Sequence, residues 1–404
     1  MENLNLWWLK NFMNNKKYRA LLVHDHKFII YQDQVYSKGN FSYEILKRYL
    51  NYFNDLHIFS RKQILDQSID IKSLKSSQGN GIHFTFAPSI SSPISRLKNI
   101  SFVRDQLVGA LKETDYLIVR LPSELGLLAI SVAKRLNKPF LIELVGDPYL
   151  AVRLHGNKLG IPYAPILKKK IKTIMRESPF SIYVSKNLHD LYPTRGEYEF
   201  ISNVNIGETN IDVVERRLKK KVNKKAIIGM IASIDNKYKN VKKLVELAGL
   251  LKENSINAKI EVVGDGDILY WKSIVSKERL NDYLFFVGPL KSGKAIFDWL
   301  DNVDIYVQTS LTEGLPRSVI EAMSRGCPVV SSNVGGIPEL IDEEYLFDPQ
   351  DTSRLYYKVV DLLENNLERE QTIIKNYEEA KKYNKKILDG KRDAFFNKFI
   401  GSKF

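Results

Sequence analysis

Residues 313–339 read Glu313-Gly-Leu-Pro-Arg-Ser-Val-Ile-Glu321-Ala-Met-Ser-Arg-Gly-Cys-Pro-Val-Val-Ser-Ser-Asn-Val-Gly-Gly-Ile-Pro-Glu339, and the reading of this stretch decides the fold. Two acids bracket a tight turn that opens into a helix. Pro316 suits the first helical turn, where its missing amide hydrogen costs nothing, and Gly326 with Pro328 suits the helix end. The free amides at the helix start would face a phosphate group. An apolar strand from Val303 to Gln308 precedes the turn, and another from Pro328 to Ser332 follows the helix. The turn therefore falls at the carboxyl edge of a parallel sheet, where open α/β sheets bind ligands.

The same alternation extends outward in both directions. Before the turn come strand Ala226 to Ile231, helix Val241 to Lys252, strand Lys259 to Val263, helix Leu269 to Lys277 and strand Leu284 to Val287. After Asp348 the chain turns helical. The first half repeats the scheme with strands Arg19 to Val23, Leu56 to Ser60, Tyr116 to Leu121, Pro139 to Val145 and Phe180 to Val184, separated by helical periods. The class is α/β, with two Rossmann-like doubly wound domains. Their expected extents are 1–207 and 226–384, joined by a basic linker over 208–225 and followed by a last helix over 385–404. The run Glu215 to Lys225 is so rich in cations that it reads as a solvated connector. Ile387, Phe395, Phe396 and Phe399 give the last helix an apolar face.

With 404 residues and 44% hydrophobic content, the chain can bury two separate cores. Its single cysteine, Cys327, excludes an intramolecular disulfide and fits a reducing compartment, here as a core residue. Met1 to Lys17 lacks an apolar run of signal-peptide length, and no later segment is long enough to cross a bilayer, so a cytoplasmic place or the inner face of a membrane is expected. A formal charge of +14 favours an acidic partner. No zinc-finger spacing, RNP-like string or helix-turn-helix accompanies that charge, which sets nucleic acid aside. An anionic membrane surface stays open, through Leu167, Ile171 and Ile174 on the basic segment 167–176 and through Trp7, Trp8, Phe12 and Met13 beside Lys16 and Lys17; ordinary solvated helices account for the same residues.

The 313–339 text resembles the donor-site signature of retaining glycosyltransferases of the family-four type, which are built on the GT-B fold. Glu313 and Glu321 match that family's glutamate spacing, and Gly-Leu-Pro, Glu-Ala-Met, Pro-Val-Val and Gly-Gly-Ile-Pro-Glu add specificity. The resemblance implies that the two domains face a cleft and that the terminal helix crosses back onto the first. It implies a nucleotide diphosphate sugar as co-substrate, with no cofactor and no metal. Glu313 would then lie by the donor sugar, Glu321 would bind the ribose, and the backbone of Gly314, Leu315, Pro316 and Arg317 would hold the diphosphate.

Further strings are similar to the same family. In Gly229-Met-Ile-Ala-Ser-Ile-Asp-Asn-Lys-Tyr-Lys239, Lys239 takes the position of the diphosphate-binding lysine. Ser233 stands where the family has an arginine, and Lys237 is the cation that would replace it. Val262-Val-Gly-Asp-Gly-Asp267 matches a strand end whose Gly264 would let the backbone approach the nucleotide. Its Asp-Gly-Asp triplet is an incomplete metal site. In the first domain Gly39, in Ser37-Lys-Gly39-Asn-Phe41, His24, in His24-Asp25-His26, and Arg120 would border the cleft and the acceptor. Ile118-Val-Arg120-Leu-Pro122-Ser and Glu143-Leu-Val-Gly146-Asp147-Pro148-Tyr149 resemble bacterial polysaccharide-synthesis members, although Val145 stands where many have a histidine. Asp147 either fills that gap at the donor sugar or caps a turn before Pro148.

The reading is a metal-independent retaining glycosyltransferase acting on a glycan or lipid-linked acceptor in bacterial surface polysaccharide synthesis, with Glu313, Lys239 and Asp147 nearest the chemistry. Its rivals are a catalytically silent binding subunit, motivated by Ser233 and Val145, and a sugar-nucleotide epimerase of the same fold.

Overall fold

The computed structural model describes residues 18–38, 41–64, 74–154, 160–207, 209, 211–220 and 225–402. Gly39, Trp7, Trp8, Phe12, Met13, Lys16 and Lys17 lie outside these residues.

Two parallel sheets organise the chain. The first holds β1 (Arg19–Tyr31), β2 (Gln34–Ser37), β3 (Asp55–Ile64), β4 (Lys75–Ser76), β5 (Ile82–Phe86), β6 (Tyr116–Leu121), β7 (Phe140–Leu144), β8 (Phe180–Tyr183) and β9 (Glu197–Phe200). Its parallel run is β5-β3-β1-β6-β7-β8-β9, with β2 and β4 added antiparallel beyond the far end of β1. The second sheet is wholly parallel, in the order β12-β11-β10-β13-β14-β15, with β10 (Ala226–Ile231), β11 (Ala258–Val263), β12 (Leu284–Gly288), β13 (Ile305–Gln308), β14 (Val329–Ser332) and β15 (Leu346–Phe347). Strands such as Phe140–Leu144 and Val329–Ser332 are buried along their length, so they show no alternation of apolar and polar faces, and the polar residues they carry, Glu143, Ser331 and Ser332, are buried too. In each sheet the winding reverses once, between β1 and β6 and between β10 and β13. These are the crevices where doubly wound sheets hold ligands.

Some elements depart from the sequence expectation. β1 does not stop at Val23; its pairing with β3 shifts between Val23 and Lys27 and resumes to Ile30. The polar string His24-Asp25-His26 hid this continuation. The stretch 208–225 is not only a solvated connector, because Ile211–Lys219 is a helix with Val213, Val214 and Arg217 buried. Arg217 lies inside and donates to the carbonyls of Val303 (2.5 Å), Leu300 (2.8 Å) and Arg325 (2.9 Å). A guanidinium that satisfies three backbone acceptors is stable where a lone charge would not be.

The last helix, Lys385–Gly401, starts at Asn384, whose side chain accepts from the Ile387 amide. It packs on the first sheet's side of the molecule. Phe396 stacks on Tyr52 with ring centroids 4.5 Å apart, and Phe399 meets Tyr116 and Phe180 at 5.2 Å each. Tyr116 donates to the Ile400 carbonyl at 2.9 Å and Tyr52 to Asp393 at 2.5 Å. Ile387 is not part of that apolar face, being 43% exposed; Leu388 is buried instead. In the basic helix Gly160–Arg176, Leu167 and Ile171 are buried in the core, so they are not an interfacial face.

Candidate active site

Residues from both crevices converge. At the second, β13 ends in Gln308, and Thr309 and Ser310 continue it, all fully buried. Polar side chains survive there because each is bonded. Tyr306 accepts from the Ile231 amide (3.2 Å) and donates to the Gln308 amide oxygen (3.0 Å). The Gln308 nitrogen in turn donates to Glu313 Oε1 at 3.0 Å. Ser310 Oγ reaches the same oxygen at 2.7 Å and Lys239 Nζ at 2.6 Å. With their side chains 14% and 11% exposed, Lys239 and Glu313 form a largely desolvated ion pair. Charge-assisted bonds of this kind are short and fix geometry. The lysine comes from a 3-10 turn, Lys237–Lys239, that ends on Asn240 in the left-handed region (φ 54°). Lys237 is on the same turn and exposed.

Glu321 lies one turn and more into the helix Arg317–Ser324. Surrounding atoms enclose its carboxyl although the residue keeps some surface, and this desolvation pushes its pKa from 4.5 up to about 7, against the pull of Arg317. Pro316 stands just outside the helix as its N-cap, in extended conformation.

Glycines bring the backbone segments together. A Cβ on Gly314 would stand 2.3 Å from the Val145 carbonyl of the first half, and one on Gly335 would stand 1.8 Å from the Glu313 carbonyl. Gly336 donates its amide to the Gly314 carbonyl at 2.9 Å. Glu339 completes the junction by accepting the amides of Lys186 (2.9 Å) and Asn187 (2.7 Å), at the start of the helix Lys186–Leu191. The Gly-Gly-Ile-Pro-Glu string thus joins the carboxyl edges of the two sheets. Close packing also marks Gly264. The Ala232 carbonyl fills its Cβ position (1.7 Å), so this glycine serves close packing of two loops.

At the first crevice Phe41 is the hub. The rings of His24 and His26 lie 5.1 and 4.7 Å from it, and the Arg120 guanidinium is 5.1 Å from its centroid. Burial, then the charges of Arg120, His26 and Arg61, push the His24 pKa well below its usual value. Burial and the two arginines bring His26 down to about 4, and its Nε2 lies 3.0 Å from Ser37 Oγ. Both imidazoles are neutral near pH 7. Glu143, almost wholly buried, holds Arg120 from behind at 3.4 Å and accepts from Tyr49 at 2.8 Å. Arg120 and Arg317 feel each other's charge across the junction. Asp147 is engaged by the Tyr192 hydroxyl (2.5 Å) and the Tyr149 amide (2.9 Å), the contacts of a turn-capping aspartate. Among the described residues no cluster of three His, Cys, Asp or Glu is gathered as around a metal ion. No helix among them is long and apolar enough to cross a membrane.

The structure thus brings Glu313, Lys239, Gly314 and Arg317 into one neighbourhood with Arg120 and His24 on the facing edge. Sequence reasoning missed Gln308, Ser310, Tyr306, Phe41 and Glu143. The signal for the first two was a polar run, Gln308-Thr309-Ser310, closing an apolar strand; for Glu143 it was an acid inside Phe140–Leu144.

Known proteins share this chain's sequence and fold. The sequence pattern of the family described as glycosyl transferases group 1 matches residues 214–380. Protein CapJ of Staphylococcus aureus is 30% identical over 380 residues, which are 93% of this chain and 94% of CapJ. The amylovoran biosynthesis glycosyltransferase AmsK of Erwinia amylovora is 36% identical over 105 residues, covering 24% of this chain and 26% of its own. Among solved structures, Anabaena HepE in complex with UDP superposes with a TM-score of 0.65 at 15% identity, over 93% of this chain and 98% of that one, a likeness of fold. Two facing α/β domains, the Glu313 turn at their junction and the full-length match to CapJ agree: the chain belongs to the glycosyl transferases of group 1.

Proposed function

We propose that this glycosyltransferase moves a sugar, with retention, from a nucleotide diphosphate sugar to a glycan or lipid-linked acceptor in bacterial surface polysaccharide synthesis. The observation that carries the reading is the desolvated Lys239–Glu313 pair at the junction of the two halves. Breaking the anomeric bond develops positive charge on the sugar and negative charge on the departing diphosphate. Lys239, Arg317 and the backbone of 314–317 would stabilise the latter, and Glu313 would orient the sugar. Neutral His24 and Arg120 would face the acceptor. With Asp147 bonded to Tyr192 and Tyr149, the leaving phosphate would take the acceptor proton on the same face. The polysaccharide role is supported by the kinship with AmsK, a biosynthetic enzyme for amylovoran.

The test is thermal stabilisation by uridine, guanosine and thymidine diphosphates and their sugars, because a ligand of the native state must raise the melting temperature. Selective stabilisation that disappears in Glu321→Ala supports the donor site and names its base. No stabilisation by any of them at saturating concentration overturns it.

The raised pKa of Glu321 adds a pH signature. The folded protein binds this proton more tightly than the unfolded chain does, so the associated stability is present below pH 4.5 and is lost as pH rises through about 7. Donor binding runs the other way, since only the ionised carboxylate accepts two ribose hydroxyls. Affinity for a nucleotide sugar, whose diphosphate does not titrate here, should rise about tenfold from pH ~6 to ~8. Calorimetry on Glu321→Gln should give a flat profile; an unchanged slope in that variant refutes the assignment.

A further inference from the structure

The helix Pro93–Lys112 buries Val103, Leu107, Ala110 and Leu111 on one face. Its opposite face, at positions 94, 97, 98, 101 and 102, is also largely apolar yet stands in solvent: Ile94 is 70% exposed, Leu97 85% and Phe102 57%. Lys98 lies within this stripe, and exposed Asp105 closes it a turn later. Phe102 also lines a cavity of ≈ 530 Å³ whose other walls include Lys27, Arg61, Lys62, Phe86 and Pro88. Arg61 is held at the mouth by Asp25, with Nε 3.0 Å from the Asp25 carbonyl and 3.3 Å from its carboxylate. Lys27 and Lys62 are exposed. This cavity lies at the carboxyl ends of β3 and β5, next to the His24–His26 segment.

We propose that this face of the first half is a docking surface for an anionic phospholipid bilayer. Ile94, Leu97 and Phe102 enter the acyl boundary, while Lys98, Lys27 and Lys62 meet the headgroup phosphates, the phosphate nearest Phe102 entering the cavity. Charge complementarity selects this occupant: an apolar stripe rimmed by lysines, on a chain of net charge +14, fits a negative lipid surface. The surface differs from the basic segment that the sequence suggested, where Leu167 and Ile171 turn into the core. Docking here would set the acceptor crevice beside the bilayer. The inference does not depend on the identity of the donor.

The experiment is flotation of the full chain with vesicles of phosphatidylcholine and with vesicles in which part of it is replaced by phosphatidylglycerol. Binding should be about tenfold or more tighter to the mixed vesicles, and weaker at high salt. Leu97→Glu and Ile94→Glu, both at exposed positions, should abolish binding with an unchanged melting temperature. Lys27→Glu with Lys62→Glu should remove the preference for the anionic lipid. Equal binding by the Leu97→Glu variant, or no binding of wild type to mixed vesicles, overturns the proposal. So does full competition by inorganic phosphate, which would mean a free-anion site, or concentration-dependent dimerisation that Leu97→Glu removes, which would mean a second copy. Loss of nucleotide stabilisation alongside normal flotation would instead sink the donor-site reading alone.

Discussion

Replacing Lys239 by alanine should lower the rate of sugar transfer by about 10²–10³-fold, the usual cost of deleting one preorganised donor to a developing oxyanion. The substitution acts twice. It removes the cation proposed to receive the leaving diphosphate, and it leaves Glu313 in a desolvated site with the neutral donors Ser310 and Gln308. Breaking a buried pair by removing one partner costs about 3–5 kcal/mol, so the melting temperature should fall as well. Glu313→Ala separates the two effects, because it leaves the more adaptable lysine; it should impair transfer more than nucleotide binding. Lys237→Ala is the comparison, since Lys237 is the exposed cation on the same turn and the one expected to replace the missing arginine. Steady-state kinetics that place the larger loss at Lys237 would reassign the cation. Wild-type transfer in both Lys239→Ala and Glu313→Ala would remove the site.

Truncating Phe396 to alanine should destabilise the first half by about 3–5 kcal/mol, the range for deleting a buried aromatic ring. Phe396 is fully buried, stacked on Tyr52 and in contact with Tyr49 and Phe53. Amide exchange read by mass spectrometry localises the effect. Peptides from β1, β3 and β6 should exchange faster while those of β10 to β14 hold their protection. Uniform loss across both sheets, or none, would contradict the view that the terminal helix belongs energetically to the first half.

Five of the second sheet's six strands were legible in the sequence because the crossovers are local and the strands are compact and mostly apolar between turn signals; the two-residue strand Leu346–Phe347 was too short to read. The Glu313 turn was legible for the same reason: all its parts lie within 27 residues of text. What stayed hidden depends on distant partners. Arg217 looks like one cation among many until the carbonyls of Leu300, Val303 and Arg325 are set around it. Asp147 looked equally suited to catalysis and to capping; Tyr192, 45 positions away, accounts for one of its oxygens. Gly264 carries a motif that reads as ligand approach, and the Ala232 carbonyl that leaves it no room for a side chain lies 32 positions earlier in the chain. The exposed stripe of Pro93–Lys112 escaped because Ile94, Leu97 and Phe102 form a face only once the helix is seen to begin at Pro93.

The contact between Gly314 and Val145 makes the turn proposed for the diphosphate also the place where the halves touch. Parting the halves therefore strips one wall from that turn, and filling the turn holds the halves together. By thermodynamic reciprocity, any force that tightens the junction must tighten the nucleotide by the same factor. Release of the spent nucleotide and separation of the domains would then be coupled equilibria, each favouring the other. Enlarging residue 314, even to alanine, would act as a wedge, trading affinity for speed of turnover.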